Sequence, residues 1–228
     1  PLSITSLKWL DGSYTSDESE MRDIVSDYYH QLLSAESFSA DSLYKRQVVL
    51  ATVQQKVTDV MASHLLQQFT QQEVFSAAKS LGKDVCLGKD GIGVGFYLHY
   101  WDFLGPLLTR AVNLIFSSGS MPAEWTEGII YMIPKSDAQC DEVAKWRPIT
   151  LLNDVYKIVA KTIALRLRSV LPSIIHDTQS GFLQDRSIFY NIFLFWEMVA
   201  LAQQNKQQLA VFLLDFEKAY DKVDWDFL

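Results

Sequence analysis

The carboxylates that follow one apolar run are the residues of this sequence best suited to chemistry. Residues 209–214 are continuously apolar, which predicts a strand buried on both faces, and acids follow it at Asp215, Glu217 and Asp221. A carboxylate at the end of a buried strand is held rigidly, and Mg²⁺ binds to one or two carboxylates together with substrate phosphates. The run therefore predicts a metal-dependent phosphoryl-transfer site, although an Asp that only caps the next turn is commoner.

An aromatic ring follows the first of these acids at a fixed spacing. Tyr220 lies five residues beyond Asp215 and directly before Asp221. The phrase Leu-Asp-Phe-Glu-Lys-Ala-Tyr-Asp-Lys-Val-Asp-Trp resembles the first catalytic motif of reverse transcriptases from non-LTR (LINE-type) retrotransposons. The resemblance implies that Asp215 and the backbone carbonyl of Phe216 bind the catalytic metals. It also implies that Tyr220, where the family more often has Phe, lies under the sugar of the incoming nucleotide and excludes a 2′-hydroxyl.

Two cations upstream lie in segments that the sequence predicts to form a hairpin. Residues 128–135 end in Lys135, and residues 146–149 contain Arg147 before a proline, which favours extended backbone at the arginine. A guanidinium suits phosphate oxygens as a planar fork and an ammonium suits them as a point charge, although such cations in loops are usually solvated. Both segments resemble the fingers motifs of the same family, which implies that Lys135 and Arg147 hold the triphosphate of the incoming nucleotide.

Positive charge is concentrated in one part of an acidic chain. The net charge of −7 argues against a general nucleic-acid coat, but residues 143–176 contain six Lys or Arg and a single Asp. Three of these cations fall on one stripe of a helix predicted after the N-cap residue Asn153: Lys157, Lys161 and Arg168. The stripe fits contact with template or primer phosphates as well as it fits a solvated helix face.

A further block precedes a second predicted helix. Residues 178–187 resemble another block of the same family. The residues themselves predict a turn and then a helix N-terminus at Ser187, where Arg186 and free backbone N–H groups could meet a phosphate. The aromatic-rich helix over residues 188–203 is predicted to be buried.

The first 87 residues predict helices and carry no chemical signal. Thr70 with Glu73 three residues later is the signature of a capping box. The glycine-rich stretch 88–95 lacks the pattern of a phosphate-binding loop and predicts a flexible connector. We therefore predict a helical extension over residues 1–87 and a polymerase segment, with fingers and the start of the palm, over residues 88–228.

Composition excludes several classes of protein. Two cysteines are too few for a disulfide scaffold and suit a reducing compartment. The four histidines and the cysteines show no metal-ligand spacing. No apolar run reaches the length of roughly 18 residues that a membrane helix needs, so no membrane partner is expected.

The resemblance implies an α+β, mostly helical fold: the fingers and partial palm of a right-hand polymerase, preceded by a helical extension. It implies RNA-directed DNA synthesis with Mg²⁺ or Mn²⁺, an RNA template, a DNA primer and deoxynucleoside triphosphates, in a nuclear or cytoplasmic ribonucleoprotein. The family also requires an aromatic-Ala-Asp-Asp turn, and this sequence contains no Asp-Asp pair. We therefore expect the 228-residue chain to lack activity until a C-terminal palm and thumb complete the fold.

Two alternatives stay open. One is a non-catalytic nucleic-acid-binding remnant of such an element. The other is a globular interaction domain in which the basic stripe faces solvent.

Overall fold

The computed structural model describes residues 4–9, 11–34, 40–82, 86–135 and 140–223, which group into two units. The first unit combines Pro1–Thr52, Ile130–Ile149 and Phe212–Leu228, and the second combines Val53–Ile129 and Thr150–Val211. Each unit is thus assembled from segments distant in sequence. The units divide the chain differently from the predicted boundary after residue 87, which stays a prediction about domains.

The first unit is built around one amphipathic helix. Strands β1 (Leu7–Lys8) and β2 (Tyr14–Thr15) pair antiparallel, and helices α1 (Glu18–Leu33) and α2 (Ala40–Thr52) follow. Helix α1 begins after Asp17, whose carboxylate accepts the backbone N–H groups of Ser19 and Glu20. Its apolar face is buried in a small core with residues of β1 and of the segment before β4: Leu7, Tyr29, Val143 and, partly buried, Met132.

Strands β3 (Gly128–Pro134) and β4 (Trp146–Leu152) form a hairpin, as the sequence predicts. The backbone N–H of Lys135 donates to the carbonyl of Lys145 over 2.9 Å. A short 3₁₀ turn over Val143–Lys145 leads into β4. Residues 136–139 of the connecting loop, including the predicted polar residues there, lie outside the described residues.

The second unit is a cluster of helices around α8. Its elements are α3 (Asp59–Leu65), α4 (Gln71–Ser80), α5 (Val94–His99), α6 (Trp101–Ser118), α7 (Ala123–Thr126), α8 (Asp154–Arg168), α9 (Leu171–Ile174) and α10 (Ile188–Gln204). The predicted capping box of α4 is present, since Thr70 and Glu73 bond reciprocally. The core is formed by apolar residues of α4, α5, α6 and α8: Val74, Ala78, Val94, Leu108, Val112, Val155, Ile158 and Val159. The predicted fold class, α+β and mostly helical, is confirmed.

An arginine buried among these helices joins α8 to α4. Arg166, only 4% exposed at its side chain, donates to both carboxylate oxygens of Glu73 over 2.9–3.0 Å. It also donates to backbone carbonyls in the turn before α4, at residues 65, 67 and 68. Its guanidinium carbon lies 3.5 Å from the ring centroid of Phe69. One of the six cations of the basic segment is therefore a structural residue.

The glycine-rich stretch is a fixed loop, which corrects the predicted flexible connector. The side chain of Asn153 accepts the N–H of Asp90 over 3.2 Å, and that of Asp154 accepts the N–H of Val94 over 2.6 Å. A Cβ atom on Gly88 would lie 2.4 Å from the Asn153 side-chain oxygen, so glycine is required there. Asn153 is the N-cap residue of α8 as predicted, but its side chain makes no capping hydrogen bond, because these contacts occupy it.

Two segments predicted to be buried are exposed. Residues 209–214 belong to no strand or helix, with Leu213 93% exposed, and α10 contains no buried residue. A strand buried on both faces needs a neighbour on each side. In the part of the chain that the structure describes, the sheets have two strands each, and neither contains this run. Among those same residues, no helix has the length and apolar character needed to cross a bilayer.

We expect Glu73→Gln to lower the free energy of unfolding by about 1–3 kcal/mol at pH 7. Glutamine can still complete the capping box but leaves the buried Arg166 without a charged partner. Burial raises the pKa of Glu73, but hydrogen bonds from Thr70 and Arg166 outweigh burial, so the pKa lies below its ordinary value of 4.5. A carboxylate with a lowered pKa stabilises the fold above that value and loses the effect as the pH falls.

Denaturant unfolding between pH 7 and pH 3 measures both effects. The difference between wild type and Glu73→Gln should shrink as the pH falls below 4.5. The control is Glu127→Gln in the same unit, where an exposed carboxylate pairs with Lys89 over 2.5 Å and is expected to contribute less than about 1 kcal/mol. Equal losses in the two variants would contradict this role of Arg166.

Candidate active site

Asp215 lies in the first unit, in a segment without regular secondary structure, and its side chain is exposed. It makes no hydrogen bond and no ion pair with any described residue. Phe216, the source of the predicted carbonyl ligand, is 82% exposed at its side chain. Turns over residues 217–222 follow, in which the N–H of Lys222 donates to the carbonyl of Lys218 over 3.1 Å. Both predicted metal-binding residues are therefore accessible.

The turn after Asp215 is held on helix α1. The ammonium of Lys218 bonds to the hydroxyl of Tyr28 and lies 4.4 Å from the centroid of its ring. Burial raises the pKa of the neighbouring Tyr29 hydroxyl, and the negative charge of Asp221 raises that pKa further. Tyr220, the predicted sugar gate, is 79% exposed and leaves its ring open to a ligand.

The two predicted triphosphate ligands lie at the ends of the hairpin strands nearer the connecting loop. Lys135 follows β3 directly and donates from Nζ to the carbonyl of Ala144 over 2.8 Å. Arg147, the second residue of β4, is exposed, and its side chain makes no hydrogen bond or ion pair within the described residues. Lys135 and Arg147 thus share the first unit with Asp215 and Tyr220, although no bond joins the hairpin cations to that carboxylate.

The donor set of this unit suits a hard cation but does not complete a metal site. A carboxylate at Asp215 and the carbonyl of Phe216 are oxygen ligands of the kind that Mg²⁺ and Mn²⁺ prefer. Among the described residues, no three His, Cys, Asp or Glu side chains are grouped closely enough to hold a metal ion. One carboxylate falls short of what a pair of divalent ions requires.

The predicted basic stripe lies on α8 in the second unit, and its members differ in what they contact. Lys157, 22% exposed at its side chain, pairs with Asp154 over 2.7 Å and donates to the carbonyl of Cys86 over 3.0 Å. Lys161 is half-buried and Arg168 is exposed, and neither side chain makes a hydrogen bond or ion pair within the described residues. Two of the three predicted cations are therefore available to phosphate.

Arg186 is bonded within its own loop. Its side chain is 15% exposed, and its two terminal nitrogens donate to four backbone carbonyls and one carboxylate, those of Pro172, Ile175, His176, Gln179 and Asp177. Asn191 of α10 ties the same loop through the carbonyl of Thr178 over 2.8 Å. The phosphate contact predicted for Arg186 stays a prediction, and the geometry shows a residue that closes the loop before α10.

Sequence reasoning missed Tyr28 and Lys218 as residues of this region. No spacing rule connects positions 190 residues apart, and a tyrosine on a helix carries no chemical signal by itself.

Comparison with known proteins identifies the class. Residues 133–228 match the family of reverse transcriptases (RNA-dependent DNA polymerases), and this range contains every predicted site residue. Proteins of this family use a nucleic-acid template, deoxynucleoside triphosphates and a divalent metal ion. The mostly helical α+β structure agrees with a partial reverse-transcriptase fold.

The relatives narrow the class to non-LTR retrotransposons. The chain is 32% identical over 99% of its length to an uncharacterized 149 kDa protein of transposon TX1 from Xenopus laevis, of which it spans 17%. It is 30% identical over 51% of its length to a probable RNA-directed DNA polymerase from transposon X-element of Drosophila melanogaster, spanning 13% of that protein. It is also 27% identical over 49% of its length to a Pol polyprotein of the retrotransposable element R2 from Popillia japonica, spanning 15%. The match over residues 133–228 and these relatives bear out the predicted resemblance to a LINE-type reverse transcriptase.

We expect Arg186→Met to lower the free energy of unfolding by about 1–3 kcal/mol, because four loop carbonyls lose their donor. Arg168→Met removes the same charge from an exposed position and should change the stability by less than about 0.5 kcal/mol. Denaturant unfolding of both variants compares the two arginines directly. A stable Arg186→Met variant whose RNA binding has lost salt dependence would instead assign Arg186 to phosphate binding.

Proposed function

We propose that this chain is the fingers and the first palm segment of a LINE-type RNA-directed DNA polymerase. The observation that carries the proposal is that Lys135, Arg147, Asp215 and Tyr220 all lie in the first unit with exposed side chains. A nucleoside triphosphate needs cations at its phosphates, a carboxylate for its metal and a surface against its sugar. The first unit offers all three.

Each residue has a separate task in nucleotidyl transfer. Asp215 and the carbonyl of Phe216 hold the divalent metal, Mg²⁺ or Mn²⁺, which when bound stabilises negative charge on the attacking and leaving oxygens. Arg147 carries two adjacent N–H donors toward phosphate oxygens, and Lys135 adds a second positive charge. The ring of Tyr220 lies against the sugar and selects deoxynucleotides by excluding a 2′-hydroxyl. The substrates are deoxynucleoside triphosphates, with an RNA template and a DNA primer.

The active site is completed by residues outside this sequence. The chain spans 17% or less of the relatives it matches, and no Asp-Asp pair occurs in it. We propose that a C-terminal palm supplies the remaining metal-binding carboxylates and, with the thumb, covers the exposed apolar surfaces of residues 209–216 and α10. The complete protein then works in a nuclear or cytoplasmic ribonucleoprotein.

Primer extension tests the catalytic part of the proposal. The 228-residue chain alone, with Mg²⁺, an RNA template and a DNA primer, should give no template-dependent product, because one carboxylate cannot hold two metal ions. The same sequence extended by a segment with the aromatic-Ala-Asp-Asp motif should extend the primer, and Asp215→Asn should abolish that extension. Product from the short chain that disappears in Asp215→Asn would contradict its expected inactivity. An active extended protein that tolerates Asp215→Asn would refute the assignment of the metal ligand.

A non-catalytic nucleic-acid-binding remnant is the second candidate, and the unpaired Lys161 and Arg168 on α8 favour its binding activity. RNA binding by such a surface weakens as salt concentration rises, because each phosphate contact releases counterions. The logarithm of the binding constant falls by about 0.7 per contact for each tenfold rise in salt when the RNA is single-stranded.

We expect the double variant Lys161→Gln/Arg168→Gln to reduce this salt slope by about 1.4, as the loss of two phosphate contacts requires. Lys56→Gln/Lys79→Gln makes the same change in net charge at exposed positions outside α8 and is the matched control. Fluorescence anisotropy with a labelled single-stranded RNA over a series of salt concentrations measures both. Equal slopes in the two double variants would assign the α8 cations to the solvated surface.

A further inference from the structure

Helix α1 contacts both parts of the first unit that carry the candidate site. On one side, the hydroxyl of Tyr28 accepts a hydrogen bond from the ammonium of Lys218, which lies three residues after Asp215. Among the described residues, this is the only side-chain hydrogen bond between residues 212–223 and the rest of the unit. The attachment of the Asp215 segment to its unit thus includes one specific polar contact with α1.

On the other side, α1 and the strands before it hold the hairpin. The hydroxyl of Tyr29 donates to the sulfur of Met132 in β3 over 3.5 Å. The backbone N–H of Lys8 and the hydroxyl of Tyr14 donate to Asp141, over 2.8 and 3.1 Å, directly before the turn that leads to Arg147. The residues that surround α1 therefore fix the loop end of the hairpin, near Lys135 and Arg147.

The backbone of Lys218 adds an independent sign of constraint. Its φ of 50° lies in the left-handed region, which residues other than glycine seldom occupy. Such a conformation persists where surrounding contacts hold it, and it is commoner at functional sites than elsewhere. Two contacts hold Lys218 here: its side-chain bond to Tyr28 and the hydrogen bond that its carbonyl accepts from the N–H of Lys222.

We propose that helix α1 is a positioning element of the nucleotide site: Tyr28, through Lys218, orders the segment of Asp215 and Tyr220 on the helix that also supports the hairpin of Lys135 and Arg147. The inference rests on the proposed function. Tyr28 and Lys218 are positioning residues, since neither needs to touch nucleotide or metal. The role differs from plain stabilisation because the bond attaches an exposed segment without contributing to the core.

Backbone ¹⁵N relaxation of the full chain tests the proposal without any activity. Residues 216–221 should be ordered in wild type, with order parameters of about 0.8, and should fall below about 0.6 in Lys218→Met and in Tyr28→Phe. Lys218→Arg keeps a donor for Tyr28 and should restore order. Lys222→Met is the matched control, because Lys222 lies in the same turn but, among the described residues, its side chain pairs only with Glu217, over 3.7 Å, and the variant should leave residues 216–221 ordered.

The expected pattern also includes an unchanged denaturation midpoint in all four variants and unchanged amide shifts in α4 and α8. Residues 216–221 that are equally ordered in Lys218→Met and wild type, or already disordered in wild type, would overturn the positioning role. A lower midpoint with order retained in residues 216–221 would also overturn it and make Tyr28 an ordinary core contact.

Addition of Mn²⁺ alone separates this inference from the proposed function. The paramagnetic ion should broaden the amide signals of residues 215 and 216 in wild type and not in Asp215→Asn. In Lys218→Met the broadening should persist, with a broader distribution of distances between the ion and the neighbouring amides. Absence of broadening in wild type would refute the metal-binding role of Asp215, while the order parameters alone decide the role of Tyr28 and Lys218.

Discussion

The buried guanidinium of Arg166 is the interaction on which the second unit depends. A charge removed from water lowers stability unless carboxylate and carbonyl groups surround it. Arg166 meets this requirement with Glu73, 93 residues earlier in the chain, and with backbone carbonyls that lie 98 to 101 residues earlier. Helix α8 can therefore be buried only where α4 and the turn before it are in place. All buried side-chain nitrogen and oxygen atoms in the described part of the chain have a hydrogen-bond partner.

The same requirement sorts the cations that sequence analysis treated alike. Helical periodicity correctly places Lys157, Lys161 and Arg168 on α8. It shows on which face of the helix each residue lies, but it does not show what each side chain contacts. For Lys157 a partner could have been anticipated, because an acid three residues earlier on a helix is within reach. For Arg186 no such signal exists, since its partners are mainly backbone carbonyls, which every residue carries.

Local features were predictable because their causes are local. The capping box of α4 needs two residues three positions apart, and the β3–β4 hairpin needs two extended runs and a short connection. Asn153 shows where this reasoning fails. Its type suits an N-cap, but its side chain bonds to Asp90 and to the carbonyl of Glu124, which are 63 and 29 positions away. Contacts of that range depend on the whole fold, so residue type alone does not reveal them.

The apolar run before Asp215 shows that suitability for burial and actual burial are different properties. An apolar pattern shows that residues 209–214 are suited to burial, but burial also requires a second surface, and the described residues provide none beside this run. Sequence analysis therefore assigned the rigidity of Asp215 to a buried strand before it, which the described residues do not form. In this structure, the specific polar contact that constrains Asp215 comes after it in the chain. It is the bond from Lys218 to Tyr28 of helix α1. Because the run and the turn flank the same residue, a covering surface on the run would add to the constraint at Lys218 without replacing it.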